Sequence, residues 1–320
     1  MKRSVLYSLL FSLILAACTP QAAPRPTASP THTPSRLVPT PRYNIPPTST
    51  ETPTPTATLT VTPTFAPPTE TPSGPTETLE PITDDWMNLP VVPQVYTSVR
   101  DIYLLGQSLG NDPTAFSIFG DCQARPEEFF GPFETDPALV SSLSPELQEV
   151  VQQFQGSFNR ESPTAQDGTT PGALLWDQWH RGEYGCQSGE TPVSCELRIH
   201  RPSFVIIQIG THFESRNREY LNTIISQLLL QGVVPILATK ADNRELDNRV
   251  NFDIYVLSTK FNLPLWNFWA AVSGLPDRGL YVMTGREDQG AIYLNDAAKE
   301  IHRTTGLEAL NIVWRVATGR

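Results

Sequence analysis

Cys122 closes the apolar run "AFSIFGDC", in which Phe116, Ile118 and Phe119 lead into Gly120-Asp121. A thiol presented on a tight turn after a buried strand can act as a nucleophile, because sulfur needs less help from a base than a hydroxyl does. A base is at hand in His212, which follows a second apolar run, "SFVIIQIGTH". Should the two runs lie side by side, Cys122 and His212 would form a dyad for acyl transfer, His212 taking the thiol proton. The same residues allow a plainer reading, with Cys122 an inert small residue in a turn and His212 a polar rim residue. Asp121 belongs at the mouth of this site, facing a substrate or accepting backbone amides in the turn. Lys240, just after the run "VVPILAT", is either a further substrate contact or a solvated loop lysine.

The elements that must position these groups are legible as pattern. Residues 115–121, 203–210, 233–239 and 263–269 are short apolar runs without alternation, the signature of parallel strands covered on both faces. Between and after them, residues 217–231, 245–261 and 306–317 carry apolar residues at helical spacing. Strand-helix alternation of this kind predicts a three-layer, doubly wound, mostly parallel α/β sheet, flavodoxin-like in plan. Ligands of such sheets bind beyond the carboxyl ends of the strands. Gly120-Asp121-Cys122, Gly210-Thr211-His212 and Thr239-Lys240-Ala241-Asp242-Asn243 are therefore expected to converge. Trp266, Phe268 and Trp269 read as core rather than as a sugar-stacking surface.

The same pieces resemble the SGNH hydrolases, or GDSL family, over most of residues 100–317. The family's first block ends Gly-Asp-Ser, and Gly120-Asp121-Cys122 occupies that place. Gly156, in "FQGSFNRES", stands for the glycine of the second block. In the third block, Gly210 is followed by His212 where the family has asparagine. The final Asp-x-x-His block falls on "DQGAIYLND", with Gly290 and Tyr293 at the acid and histidine places. The resemblance implies a carboxylic ester hydrolase acting on acylated glycans or lipids through an acyl-cysteine at Cys122. His212 would serve as base, and the amides of Cys122 and Gly156 as oxyanion donors. The departures at the nucleophile, the asparagine and the Asp-x-x-His block imply the alternative, a catalytically degenerate domain that binds cell-envelope polysaccharide or a surface partner. No cofactor and no metal is expected.

Cys186 and Cys195 lie in the polar loop "GCQSGETPVSCE", where a disulfide is expected to add about 2.7 kcal/mol by loop entropy. A zinc site from His180, Cys186, Cys195 and His200 matches no familiar spacing and is set aside. At the amino end, Met1-Lys2-Arg3, an apolar run and Leu15-Ala16-Ala17-Cys18 resemble the signal and lipobox of bacterial lipoproteins. The resemblance implies cleavage before Cys18, lipid on that residue and an extracytoplasmic, membrane-anchored chain. Seventeen of the thirty-one prolines fall within residues 19–85, interleaved with threonine, so this stretch reads as a disordered stalk. Residues 86–320 then form one α/β domain. With 33 acidic residues against 23 Lys plus Arg, the net charge of −10 argues against nucleic acid as a partner.

Overall fold

The computed structural model describes residues 81–212 and 216–320. The lipobox, Cys18 and nearly all of the Thr/Pro-rich stretch lie outside them. Four parallel strands form the sheet in the order β1-β2-β3-β4: Asp112–Gly120, Pro202–Gln208, Val234–Ala238 and Leu265–Trp266. Along each of the first three strands, successive side chains enter opposite cores, as a pleated strand buried on both faces requires. Phe116, Ile118, Phe204, Ile206, Val234 and Ile236 face one core, with helices α1 (Ser98–Leu109), α2 (Pro145–Gln153) and α6 (Asp296–Thr318). Phe119, Val205, Ile207 and Leu237 face the other, with α3 (Pro192–Ile199), α4 (Asn217–Leu230) and α5 (Arg249–Phe261). The fold is thus a three-layer α/β sandwich.

The strand order fixes where a ligand can bind. Among the described residues no further strand pairs along β1 on its outer side, but Gly120 makes an isolated parallel bridge to Ala165. The chain therefore leaves β1, returns past its open edge at Ala165, and only then crosses to β2 on the other side. Connections diverge at the carboxyl end of β1, which is the switch point where open α/β sheets hold their ligands. Gly120 is needed for that crowding. A Cβ there would stand 2.2 Å from the Ala124 Cβ and 2.6 Å from the Gln208 carbonyl oxygen.

Helices α1, α2 and α3 were not in the sequence expectation, and three further parts of the chain differ from it. The run 263–269 pairs only at Leu265–Trp266, because Asn267 turns the chain into a short helix, Phe268–Ala271. Its side chain accepts from the Ala270 amide and donates to the carbonyls of Trp86 and Leu89. The last helix begins at Asp296 rather than 306, capped by Asn295, and runs through Gly306. There a Cβ would come within 2.8 Å of the Phe129 ring and 2.9 Å of the Trp266 ring, so the glycine lets helix and aromatic core meet. Finally, Leu280–Val282 (β5) and Ala291–Leu294 (β6) form an antiparallel hairpin that the sequence reading did not contain. Trp266, Phe268 and Trp269 are core, as expected.

His302 on α6 is fully buried among Phe129, Trp266 and Phe268, with ring centroids 4.2, 5.3 and 4.5 Å away. Burial holds its pKa well below the usual imidazole value, with Arg303 adding to the effect. Below the unfolded value of 6.5 the unfolded chain takes up a proton that the folded chain refuses. Stability is then lost as pH falls, by about 1.4 kcal/mol per pH unit until the folded pKa is reached. His302→Leu is expected to flatten the fall of Tm between pH 6.5 and pH 5.5, which thermal melts across that window measure.

Candidate active site

Asp121 and Cys122 begin the tight 3-10 turn Cys122–Ala124 that follows β1. The Asp121 side chain accepts from the Gln123 amide at 3.3 Å and from the Thr211 amide at 3.0 Å. One buried carboxylate thereby ties the loop after β1 to the loop after β2, and brings Cys122 and His212 together. Asp121 is 1 % exposed, so it does not stand at a substrate mouth; its part is the amide-accepting one. Its carboxyl pKa is pushed up to about 7 by burial first and by Asp242 second.

A third group joins the pair. The segment that bridges β1 at Ala165 continues to Asp167, and one ligand atom each from Cys122, Asp167 and His212 lies within 4.8 Å of the other two. His212 Nε2 and Asp167 Oδ1 are 4.0 Å apart, beyond a hydrogen bond, while Arg286 donates to Asp167 Oδ2 at 2.7 Å. Cys122 is 7 % exposed, and its sulfur has hydrogen-bond geometry to Asp121 Oδ1 at 4.0 Å. Burial drives the thiol pKa strongly upward, and the carboxylates of Asp121, Asp167 and Asp242 reinforce it. Cys122 therefore rests as a protonated thiol, unlike cysteines activated by neighbouring cations. Burial lowers the His212 pKa against the opposing pull of Asp167, which leaves the imidazole neutral at pH 7 and able to accept a proton.

Cys122 and Asp167 line a cavity of about 100 Å³. The β5-β6 hairpin supplies one wall through Tyr281 and Tyr293, whose rings are 6.0 Å apart. Arg125, Arg286 and Lys299 complete the rim, each paired to a carboxylate, Glu127, Asp167 and Glu128 respectively. Tyr293 lines the cavity with Cys122, and its hydroxyl donates to Gln289 Oε1 at 2.8 Å.

Two proposed site residues lie elsewhere. Gly156 is exposed, and its amide donates to Glu134 Oε1 at 2.5 Å, beside the Phe158 and Asn159 amides on the same carboxylate. With that amide already engaged, Gly156 is no oxyanion donor to Cys122. Lys240 is neither a substrate contact nor solvated. It is 4 % exposed, with Nζ 2.7 Å from Asp242 Oδ1 and 2.5 Å from Glu245 Oε2. Cys186 and Cys195 are joined in a disulfide, which removes both from any zinc site. His180 instead contacts the Glu190 carbonyl, and His200 the Phe116 carbonyl. Asp167 was not foreseen, since "PTAQDGTTP" has no periodicity; its one signal was an Asp-Gly step in a polar loop.

No protein-family model matches the sequence, and no curated protein matches it either. Among solved structures, the chain is similar to a lipolytic protein of the G-D-S-L family from Desulfitobacterium hafniense, with 14 % identity and a TM-score of 0.36 over 62 % of this chain and 99 % of that one. A psychrotrophic esterase from a Pseudoalteromonas species gives 14 % and 0.38, over 62 % and 97 %. A GDSL-like lipase from Bacteroides thetaiotaomicron gives 9 % and 0.39, over 70 % and 99 %. Likeness this low carries no assignment of activity.

Proposed function

We propose that the domain is an SGNH-like carboxylic ester hydrolase in which Cys122 is the nucleophile and His212 the base. The observation that supports this is their convergence at the carboxyl end of β1, where Cys122 also lines a cavity. Because the resting thiol is protonated, attack follows the general-base route. His212 takes the proton as the sulfur–carbonyl bond forms, then returns it to the departing alcohol as the carbon–oxygen bond breaks. Water hydrolyses the resulting thioester to the free acid and restores the thiol. The Cys122 amide remains as the oxyanion donor of the sequence reading. The cavity volume suits short acyl groups, so acetylated envelope glycans are the preferred substrate class, presented to a domain tethered through lipid on Cys18.

The raised thiol pKa and the engaged Gly156 amide favour a second reading, a domain that binds such a glycan without turning it over. Assays of the full chain with p-nitrophenyl acetate and acetylated xylan separate them. Hydrolysis that falls by about 10²–10⁴ in His212→Ala supports the enzyme, as loss of a general base would give. Rates equal in wild type and variant would leave the binding reading.

A further inference from the structure

Cys122, Asp167 and His212 come from three separate loops, yet their ligand atoms meet within 4.8 Å. In a relay, the nucleophile and the orienting carboxylate address opposite nitrogens of the imidazole. Here the single ligand nitrogen of His212 is near both the sulfur and the carboxylate, so the groups converge on a point rather than form a line. His212 Nε2 and Asp167 Oδ1 are moreover buried atoms with no hydrogen-bond partner among the described residues. Buried polar atoms are normally satisfied, and two facing each other across 4.0 Å call for something between them. A hydrogen-bond donor would serve the carboxylate and a cation would serve all three. Negative charge around the sulfur, with Asp121 Oδ1 only 4.0 Å away, selects the cation.

We propose that Cys122, Asp167 and His212 bind one soft divalent cation of the Zn²⁺ class. Thiolate, imidazole and carboxylate are zinc donors, whereas Mg²⁺ and Ca²⁺ require oxygen sets. Ligand atoms around a tetrahedral ion stand about 3.3–3.6 Å apart, so inward movement of about an ångström closes the site. Arg286 holds Asp167 by Oδ2, which leaves Oδ1 for the ion. Three protein ligands leave a fourth position open toward the cavity that Cys122 and Asp167 line. On binding, the S–H bond breaks, a sulfur–metal bond forms, and one proton passes to solvent. This departs from the expectation of no metal, which was made without Asp167 in view. It does not rest on ester hydrolysis, although ion and acyl group would compete for one sulfur.

The test uses the full chain, without a histidine tag and with its disulfide intact, stripped with EDTA and dialysed against Zn²⁺ or Co²⁺. One equivalent of metal is expected, with a thiolate-to-cobalt charge-transfer band in the near ultraviolet. Cys122→Ser should lose the band, and His212→Gln and Asp167→Asn should each weaken affinity at least tenfold while circular dichroism stays native. Binding far below one equivalent in wild type overturns the proposal, as does a band that survives in Cys122→Ser. Metal binding, with no ester turnover by the EDTA-stripped protein, would uphold this site and reject the hydrolase. Turnover without metal binding would do the reverse.

Discussion

Cys122→Ala is expected to lower kcat/KM for short-chain esters by at least about a thousandfold, equivalent to about 4 kcal/mol of barrier. The size follows from what is lost. Without the sulfur there is no acyl intermediate, and the remaining groups can only bind substrate and direct water. Cys122→Ser should retain more activity than alanine, because a neutral His212 can serve a hydroxyl as it serves a protonated thiol. Both variants keep a small side chain on the turn that Asp121 caps, so their melting temperatures should stay near wild type. A Cys122→Ala variant as active as wild type would remove the nucleophile from the account.

Lys240→Met is expected to destabilise the domain by about 3–5 kcal/mol, because it removes the cation from two buried carboxylates. Asp242 and Glu245 have side chains only 2 % and 1 % exposed, and Lys240 Nζ lies between them. Methionine keeps much of the volume, so the loss reports charge rather than packing. For a domain of this size the change corresponds to a fall in Tm of roughly 6–20 °C. The triple variant with Asp242→Asn and Glu245→Gln should recover most of it, since no buried charge is then left alone. Asp242 also accepts from the Thr211 hydroxyl at 3.2 Å, which connects this ion cluster to the loop that carries His212. Lys240→Met melting within a degree of wild type would show that the cluster is not held as described.

The architecture was legible because burial on both faces writes itself as unbroken apolar runs, as at 203–210 and 233–239. The convergence of Cys122 and His212 followed from the same pattern, since parallel strands end on one edge. What stayed hidden depends on contacts made across the chain. Asp167 reaches the site through the bridge of Ala165 to Gly120 and the hold of Arg286 on its carboxylate. Gly156 looked available until Glu134, twenty-two residues away, proved to hold its amide. Lys240 looked like a loop cation, although "KADNRE" already held the carboxylates that fold back on it. The hairpin was missed because β5 and β6 span only three and four residues, too few to show a period. The long start of α6 was masked by His302, Thr305 and Gly306: His302 and Gly306 pack against aromatic rings, and the Thr305 hydroxyl donates to the Ile301 carbonyl one turn back.

The central claim is that the Cys122 sulfur takes an acyl group at the end of β1. The most direct measurement is mass spectrometry of the full chain, quenched in acid shortly after mixing with p-nitrophenyl acetate, followed by peptide mapping. One acetyl group is expected, confined to the peptide that contains Cys122 and absent from both Cys122→Ala and the His212→Ala variant at the same mixing time. Hydrolysis that proceeds with Cys122 unmodified, or acetyl found equally in Cys122→Ala, would contradict the claim.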